Sequence, residues 1–218
     1  MAQKFSPEEY LGRALGSDES VEVPGVFTRL YNDEMHSMII AVDGASRDRD
    51  SRSARAALGI FFGNNSPWNK SELLPPRIID IGCPELCAVL RTLRLLQTDI
   101  VHEWCSSITT DETLNRVIIK TKSDHMVQNM TEHIFEWAER AYIRPGKPKI
   151  YQELYGRIAD MILTLDREKN LKVLFWSVGR EHIQDANRLA NAPFNGHPLW
   201  DYRVGDEGYD ESDNYSSY

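Results

Sequence analysis

Asp43 is the residue whose type and position most suit chemistry. It follows an apolar stretch of strand length, Met38–Val42, and Gly44 comes directly after it. A buried strand that brings one acid to its carboxyl end usually places that acid at a site of binding or catalysis. The alternative is structural, because Asp-Gly is also common in turns that have no function. Asp43 alone does not separate the two interpretations.

Two other groups of charged residues could act with Asp43. Glu85 follows Pro84 in the first turn of a predicted helix, where the helix dipole favours an acid without any functional role. Residues 47–55 contain four arginines and two aspartates. A charge-mixed loop of this kind is usually a solvated turn, and the alternative interpretation is a loop that contacts phosphate groups.

The elements that must position these residues form a mixed sequence of strands and helices. Apolar and β-branched runs predict strands, and apolar residues spaced three or four apart predict helices. The predicted strands are 38–46, 56–63, 77–81, 117–121 and 171–177, and the predicted helices are 84–96, about 124–140, 150–166 and 184–192. Three consecutive strands followed by helices are typical of an α+β or mixed α/β sheet, with the first two strands paired as an antiparallel hairpin.

Composition predicts one folded domain with short appendages. The chain has 218 residues, of which 41% are hydrophobic. We expect a partly ordered leader over 1–36, with a short strand near 26–31, a domain over 37–199, and a disordered acidic tail with Tyr and Ser over 200–218. The net charge of −8 argues against bulk electrostatic coating of nucleic acid, but −5 of it lies in residues 201–218, so a local basic face is compatible with the rest.

Cysteine usage and hydropathy predict the compartment. The three cysteines, Cys83, Cys87 and Cys105, include no CxxC pair, which favours reduced thiols over a disulfide framework or a zinc site. The chain has no apolar run of membrane-spanning length, and residues 1–10 have no apolar core typical of a secretory signal. We therefore expect an intracellular protein, nuclear or cytoplasmic, that does not enter a membrane.

The order of several motifs is similar to that of the ribonuclease H (RNase H) family, of the fungal and plant type. The likeness covers about residues 37–192 and joins five motifs: Val42-Asp-Gly-Ala45, its hairpin mate ALGIFFG, the P-E-L-x-A-V-L helix start at Glu85, T-x-S at Thr121–Ser123, and R-E-x(4)-A-x-R-L-A at 180–190. The resemblance implies an RNase H-like fold: a five-stranded mixed sheet, the first three strands antiparallel, with helices on both faces.

The resemblance also implies a reaction, in which four carboxylates hold two Mg²⁺ ions that cleave the RNA strand of an RNA–DNA hybrid. Carried over by motif, the first two acids are Asp43 and Glu85. The third and fourth acidic positions fall on Lys122 and Asn187. A cation in place of a carboxylate repels a divalent ion by about 4 kcal/mol per unit charge pair at 4 Å and an effective dielectric near 20. We therefore expect metal binding by Asp43 and Glu85 to be absent or weak.

Two nearby acids could replace the missing ligands. Asp124 follows Lys122 by two residues, at a strand–helix junction where the geometry is loose. Asp185 precedes Asn187 by two residues, which is about 200° around a helix, so we expect it to point elsewhere. If these acids restored the site, the cofactor would be Mg²⁺ or Mn²⁺.

These observations favour a catalytically impaired RNase H-like protein that binds an RNA–DNA hybrid or RNA, or a protein partner. The alternative is an active Mg²⁺- or Mn²⁺-dependent hybrid ribonuclease with rearranged carboxylates. A further possibility is that the acidic, tyrosine-bearing tail is the interaction element. The basic residues expected to contact nucleic acid, besides Lys122, are Arg47, Arg49, Arg52, Arg55, Arg144, Lys147 and Lys149.

Overall fold

A computed structural model describes residues 2–4, 20–22, 28–30, 37–48, 53–75, 82–101, 114–140 and 149–195. The predicted strand at 77–81, the basic residues Arg49, Arg52, Arg144 and Lys147, and the acidic tail lie outside these ranges.

The described residues form one mixed β-sheet around a central strand, β4. Strand order runs β1-β8-β7-β4-β3-β2, and β5 and β6 continue from β4. Strand β5 lies between β4 and β6 and pairs antiparallel with both, whereas β7 and β8 run parallel to β4. The strands are Gln3–Lys4 (β1), Ser20–Glu22 (β2), Thr28–Leu30 (β3), Ser37–Arg47 (β4), Arg55–Phe61 (β5), Lys70–Leu74 (β6), Arg116–Thr121 (β7) and Lys172–Ser177 (β8).

Two features of the sheet differ from the prediction. The strand that pairs with β5 is Lys70–Leu74, where no strand was predicted, and the predicted strand at 77–81 lies outside the described residues. The sheet also has more than five strands, because the leader contributes β1, β2 and β3. Strand β5 pairs with β4 only from Ala41 onward, and β3 pairs with the free part of that edge at Ile39. The leader thus satisfies backbone groups that a five-stranded sheet would leave unpaired.

The helices follow their predicted positions within a few residues. They are Gly82–Leu95 (α1), Asp124–Gln128 (α2), Ile134–Ala138 (α3), Lys149–Lys169 (α4) and Gln184–Asn191 (α5). A π-helical turn, Leu96–Ile100, extends α1, another, Asn129–His133, joins α2 to α3, and short 3₁₀ turns, Arg180–His182 and Ala192–Asn195, flank α5. No helix in the described ranges is long and apolar enough to cross a membrane.

Helices cover both faces of the sheet, as predicted. Met38, Ile40 and Val42 of β4 face the main core, which includes buried residues of α1 and α4. Ala41 faces the opposite side, where it packs with Ala186 of α5. Side chains alternate along a strand, so Asp43 projects to the same side as Ala41. The acid therefore lies on the face that α5 covers.

Candidate functional site

Asp43 lies inside a strand, so the interpretation of Asp-Gly as a turn is wrong. β4 continues to Arg47, and Asp43 and Gly44 pair with Gly59 and Leu58 of β5. On the other side, β4 pairs with β7 only as far as Ala41. β7 ends at Thr121, and the next residue, Lys122, reaches Asp43. The acid is thus central in one strand and lies beside the carboxyl end of another.

Three donors bind the carboxylate of Asp43. The Lys122 ammonium donates to Oδ1 at 2.5 Å, and the Gly44 amide donates to the same oxygen at 2.9 Å. The Asn187 amide donates from Nδ2 to Oδ2 at 2.7 Å. Asp43 is fully buried, whereas the Lys122 side chain is 32% exposed. A buried charge must be paired and hydrogen-bonded to be tolerated, and here the residue that follows β7 and a residue of α5 supply the side-chain partners.

Two glycines allow helices to approach Asp43 closely. A Cβ atom on Gly44 would lie 2.5 Å from the backbone nitrogen of Glu85, at the start of α1. A Cβ atom on Gly59 would lie 2.2 Å from the carbonyl oxygen of Ala186, in α5. Because Gly59 is the strand partner of Asp43, the contact of α5 with Gly59 also brings Asn187 to the carboxylate.

Glu85 is the fourth member of this group, and its environment differs from that of Asp43. It is buried, with 8% of its surface exposed. Burial and, secondarily, the charge of Asp43 raise the pKa of Glu85, while Lys122 and a hydrogen bond with Ser123 act in the opposite direction. The four positions carried over from the family motifs are therefore connected through Asp43, which bonds to Lys122 and Asn187 and acts on the pKa of Glu85. Their roles remain predictions.

The two acids considered as replacement ligands bond to other residues. Asp124 is exposed and accepts a hydrogen bond from the Ser177 hydroxyl. Asp185 accepts one from the Arg188 guanidinium at 2.8 Å, and both side chains are about half exposed or more. Within the described ranges, no three His, Cys, Asp or Glu residues are grouped so that they could hold a metal ion.

Some of the predicted basic residues come together beyond the carboxyl end of α5. The guanidinium groups of Arg47 and Arg55 lie 5.2 Å and 5.6 Å from the centre of the Phe194 ring. These are cation–π distances. Arg47 also donates to Asn191 at 3.4 Å. Lys149 begins α4 instead and lies 3.7 Å from Glu153.

Sequence reasoning missed a cavity at the start of α5. Its volume is about 360 Å³, and it is lined by Arg180, Gln184, Asp185, Asn187 and Arg188. Two of these residues are arginines that had no assigned role. A signal was present, because Arg180 and Arg188 belong to the R-E-x(4)-A-x-R-L-A motif on either side of Asn187.

Comparisons with known proteins found likenesses among solved structures. No family model and no curated protein sequence matches the chain. The RNase H domain of a Mycobacterium tuberculosis protein is similar at 14% identity and a TM-score of 0.42, over 71% of this chain and 96% of that one. LC11-RNase H1, solved with an RNA/DNA hybrid, is similar at 19% identity and a TM-score of 0.43, over 70% of this chain and 93% of that one. RNase H1 of Halobacterium salinarum is similar at 11% identity and a TM-score of 0.44, over 74% of this chain and 99% of that one.

At these identities and TM-scores, the likenesses establish neither an activity nor a ligand for this chain. The architecture itself has the features that the sequence resemblance predicted: three antiparallel strands, two further strands parallel to the first of them, and helices on both faces. The chain has an RNase H-like fold.

Proposed function

We propose that this chain is a nucleic-acid-binding module in which the metal-dependent cleavage implied by the family resemblance is impaired. The observation that supports it most directly is the pairing of Asp43. One carboxylate oxygen lies 2.5 Å from the Lys122 ammonium, and the other lies 2.7 Å from the Asn187 amide. The first of the four acids implied by the resemblance is thus already neutralised by Lys122 and hydrogen-bonded by Asn187.

The arrangement does not suit a divalent cation. Mg²⁺ requires several oxygen ligands at about 2.0–2.1 Å in near-octahedral geometry. Here one side of Asp43 holds a positive charge and the other holds an amide N–H donor. At 4 Å and an effective dielectric of 20, an ammonium repels a divalent ion by about 8 kcal/mol, twice the value for a unit charge. Metal binding would require Lys122 to leave its buried partner.

Cationic groups at both ends of α5 support nucleic acid as the ligand. Arg180 and Arg188 line the cavity at its start, and Arg47 and Arg55 stack on Phe194 just after its end. A helix of eight residues is about 12 Å long. Each strand of a duplex carries one phosphate per about 3.4 Å of axis. A backbone that passes along α5 would therefore present several phosphates to these residues.

The proposal is tested with purified protein, an RNA–DNA hybrid, and Mg²⁺ or Mn²⁺. We expect binding by fluorescence anisotropy, an affinity that falls linearly with salt on logarithmic axes, and no cleavage on a denaturing gel. If the parent chain cleaves the hybrid and Asp43→Asn abolishes the cleavage, the chain is a working nuclease, and the proposal that its cleavage is impaired is wrong. If the chain binds neither the hybrid nor RNA at low salt, the proposal that nucleic acid is its ligand is wrong.

A reverse experiment examines the reason for the impairment. The double variant Lys122→Asp with Asn187→Asp returns acids to both positions, so we expect titration calorimetry to detect Mg²⁺ binding that the parent chain lacks. Arg167→Asp with Asn170→Asp is a control that makes the same change of charge at the exposed end of α4. Two divalent ions bound by the parent chain at millimolar concentration would overturn the proposal.

A further inference from the structure

We infer that Lys122 and the arginines of the neighbouring cavity form one phosphate-binding site that holds a nucleic-acid backbone without a bridging divalent ion. This inference rests on the proposed function and adds to it the contacting residues and the independence from metal. The site is defined by Lys122, Arg180 and Arg188, with Asn187 between them.

Asp43 connects the two parts of the site. Asn187 lines the cavity and donates to Oδ2 of Asp43, while the Lys122 ammonium bonds to Oδ1 of the same carboxylate. The ammonium and the cavity wall are thus separated by no more than one carboxylate and its two hydrogen bonds. The proposed ligand extends from the cavity to Lys122.

The lining of the cavity favours an anion. It contains two guanidinium groups and one carboxylate, Asp185. Asp185 pairs with Arg188 at 2.8 Å. The exposed Arg180 has no hydrogen bond or ion pair through its side chain to any described residue. Its planar set of donors matches two oxygens of a phosphate group at once. Gln184 and Asn187 add neutral side-chain amides to the same wall.

Lys122 can contact a ligand without losing its partner. An ammonium has three N–H donors, and one of them serves Asp43. About a third of the side chain is exposed, so Lys122 is not enclosed by the protein. Because Lys122 neutralises the buried acid, an approaching phosphate does not meet an unpaired negative charge from Asp43. The ammonium thereby takes the place that a metal would need to occupy between carboxylate and phosphate.

The experiment measures the affinity of a labelled RNA–DNA hybrid for the parent chain and four variants. Arg180→Ala and Arg188→Ala should each weaken binding about tenfold, as for loss of a charge-assisted contact, and reduce the salt slope by about 0.7–0.9. Asp185→Asn should tighten binding, since it removes the one acid of the cavity. Arg167→Ala is the matched control, because Arg167 is exposed on α4, across the sheet from α5. Adding EDTA should leave the affinity of the parent chain unchanged.

Lys122 is examined by a conservative pair of variants. Lys122→Arg keeps a cation against Asp43 and should retain binding, whereas Lys122→Met should weaken it. Because Lys122→Met removes the partner of a buried acid, its folding is checked by circular dichroism. If it unfolds, the inference is judged from the affinities of Arg180→Ala and Arg188→Ala.

The results separate this inference from the proposed function. If the parent chain binds the hybrid, but both cavity arginine variants match Arg167→Ala in affinity and slope, the inference is wrong and the proposed function stands. Loss of binding in EDTA also contradicts the inference, because it shows that a divalent ion is required. If the parent chain binds neither hybrid nor RNA, the proposed function itself is wrong.

Discussion

Two helices approach the same carboxylate from opposite faces of the sheet, and they are anchored differently. α1 starts against Gly44 and belongs to the main apolar core. α5 lies against Gly59, where the apolar cluster of the described residues consists of buried Ala41, Ile183 and Ala186, with Phe61 and Val178 packed against them. Both contacts require glycine, because a side chain on either residue would overlap the backbone of the helix.

The difference appears in the polar contacts. α5 is fastened by Asn187 to Asp43 at 2.7 Å and by the hydroxyl of Ser71, which donates to the Leu189 carbonyl at 2.7 Å. α1 brings Glu85 close enough to raise its pKa through burial and through Asp43. A short helix over a small apolar patch thus depends on hydrogen bonds, whereas a long helix in a large core tolerates an acid whose pKa is perturbed.

Removal of the Lys122 charge should have the largest effect on stability. Lys122→Met leaves a fully buried carboxylate without a counter-charge, so we expect a loss of about 3–5 kcal/mol in the free energy of unfolding. Adding Asp43→Asn should recover most of the loss, because the double variant contains no uncompensated charge. Urea denaturation of the singles and the double measures both quantities. A loss below about 1 kcal/mol for Lys122→Met would contradict the pairing.

The glycine contacts predict smaller and distinguishable losses. Gly59→Ala and Gly44→Ala should each cost about 1–3 kcal/mol, because helix backbone must shift to accept the new methyl group. Only Gly59→Ala displaces α5 from Asp43. Asn187→Ala should therefore cost about 1 kcal/mol or more in the Gly44→Ala background and much less in the Gly59→Ala background. Equal costs in the two backgrounds would show that Gly59 does not position Asn187.

Most of the fold could be predicted because burial leaves a periodic pattern in the sequence. The β4–β5 hairpin, α1, α4 and α5 carry long apolar repeats and lie within a few residues of their predicted bounds. Strand β6 was not predicted because Lys70–Leu74 is largely polar and half-buried. Of the leader strands, β3 at Thr28–Leu30 lies within the strand predicted near 26–31, whereas β1 and β2 are stabilised by pairing with β8 and β3, which no local pattern encodes.

The site was less predictable than the fold. Family motifs suggested that Asp43, Lys122 and Asn187 occupy related positions, but not that both donors bind one carboxylate. That contact depends on where β7 ends and on how closely α5 packs over Gly59. Arg180 and Arg188 are separated by a turn and part of a helix, so their common cavity exists only in three dimensions.

Glu85 predicts a modest dependence of stability on pH. Its pKa in the folded state is raised, chiefly by burial. Between the unfolded and folded values the folded state therefore holds the extra proton, so stability is lost as the pH rises through that interval. Glu85→Gln should remove this loss and be as stable as the parent chain at neutral pH, within about 1 kcal/mol. Urea midpoints across the acidic to neutral range measure it. A variant that is weakened most at neutral pH would contradict the raised pKa.

The smallest expected effect concerns the exposed ion pair on α5. Asp185 and Arg188 lie 2.8 Å apart, only slightly farther than Lys122 and Asp43, but their side chains are 47% and 65% exposed. Solvent weakens the attraction, so a double-mutant cycle of Asp185→Asn and Arg188→Gln should give a coupling of only about 0.3–0.5 kcal/mol. A coupling as large as that of the buried pair would mean that the cavity is closed to water. A small coupling energy between Asp185 and Arg188 also favours phosphate binding. Because the ion pair contributes little to folding, Arg188 can leave Asp185 and contact a phosphate at little cost in stability.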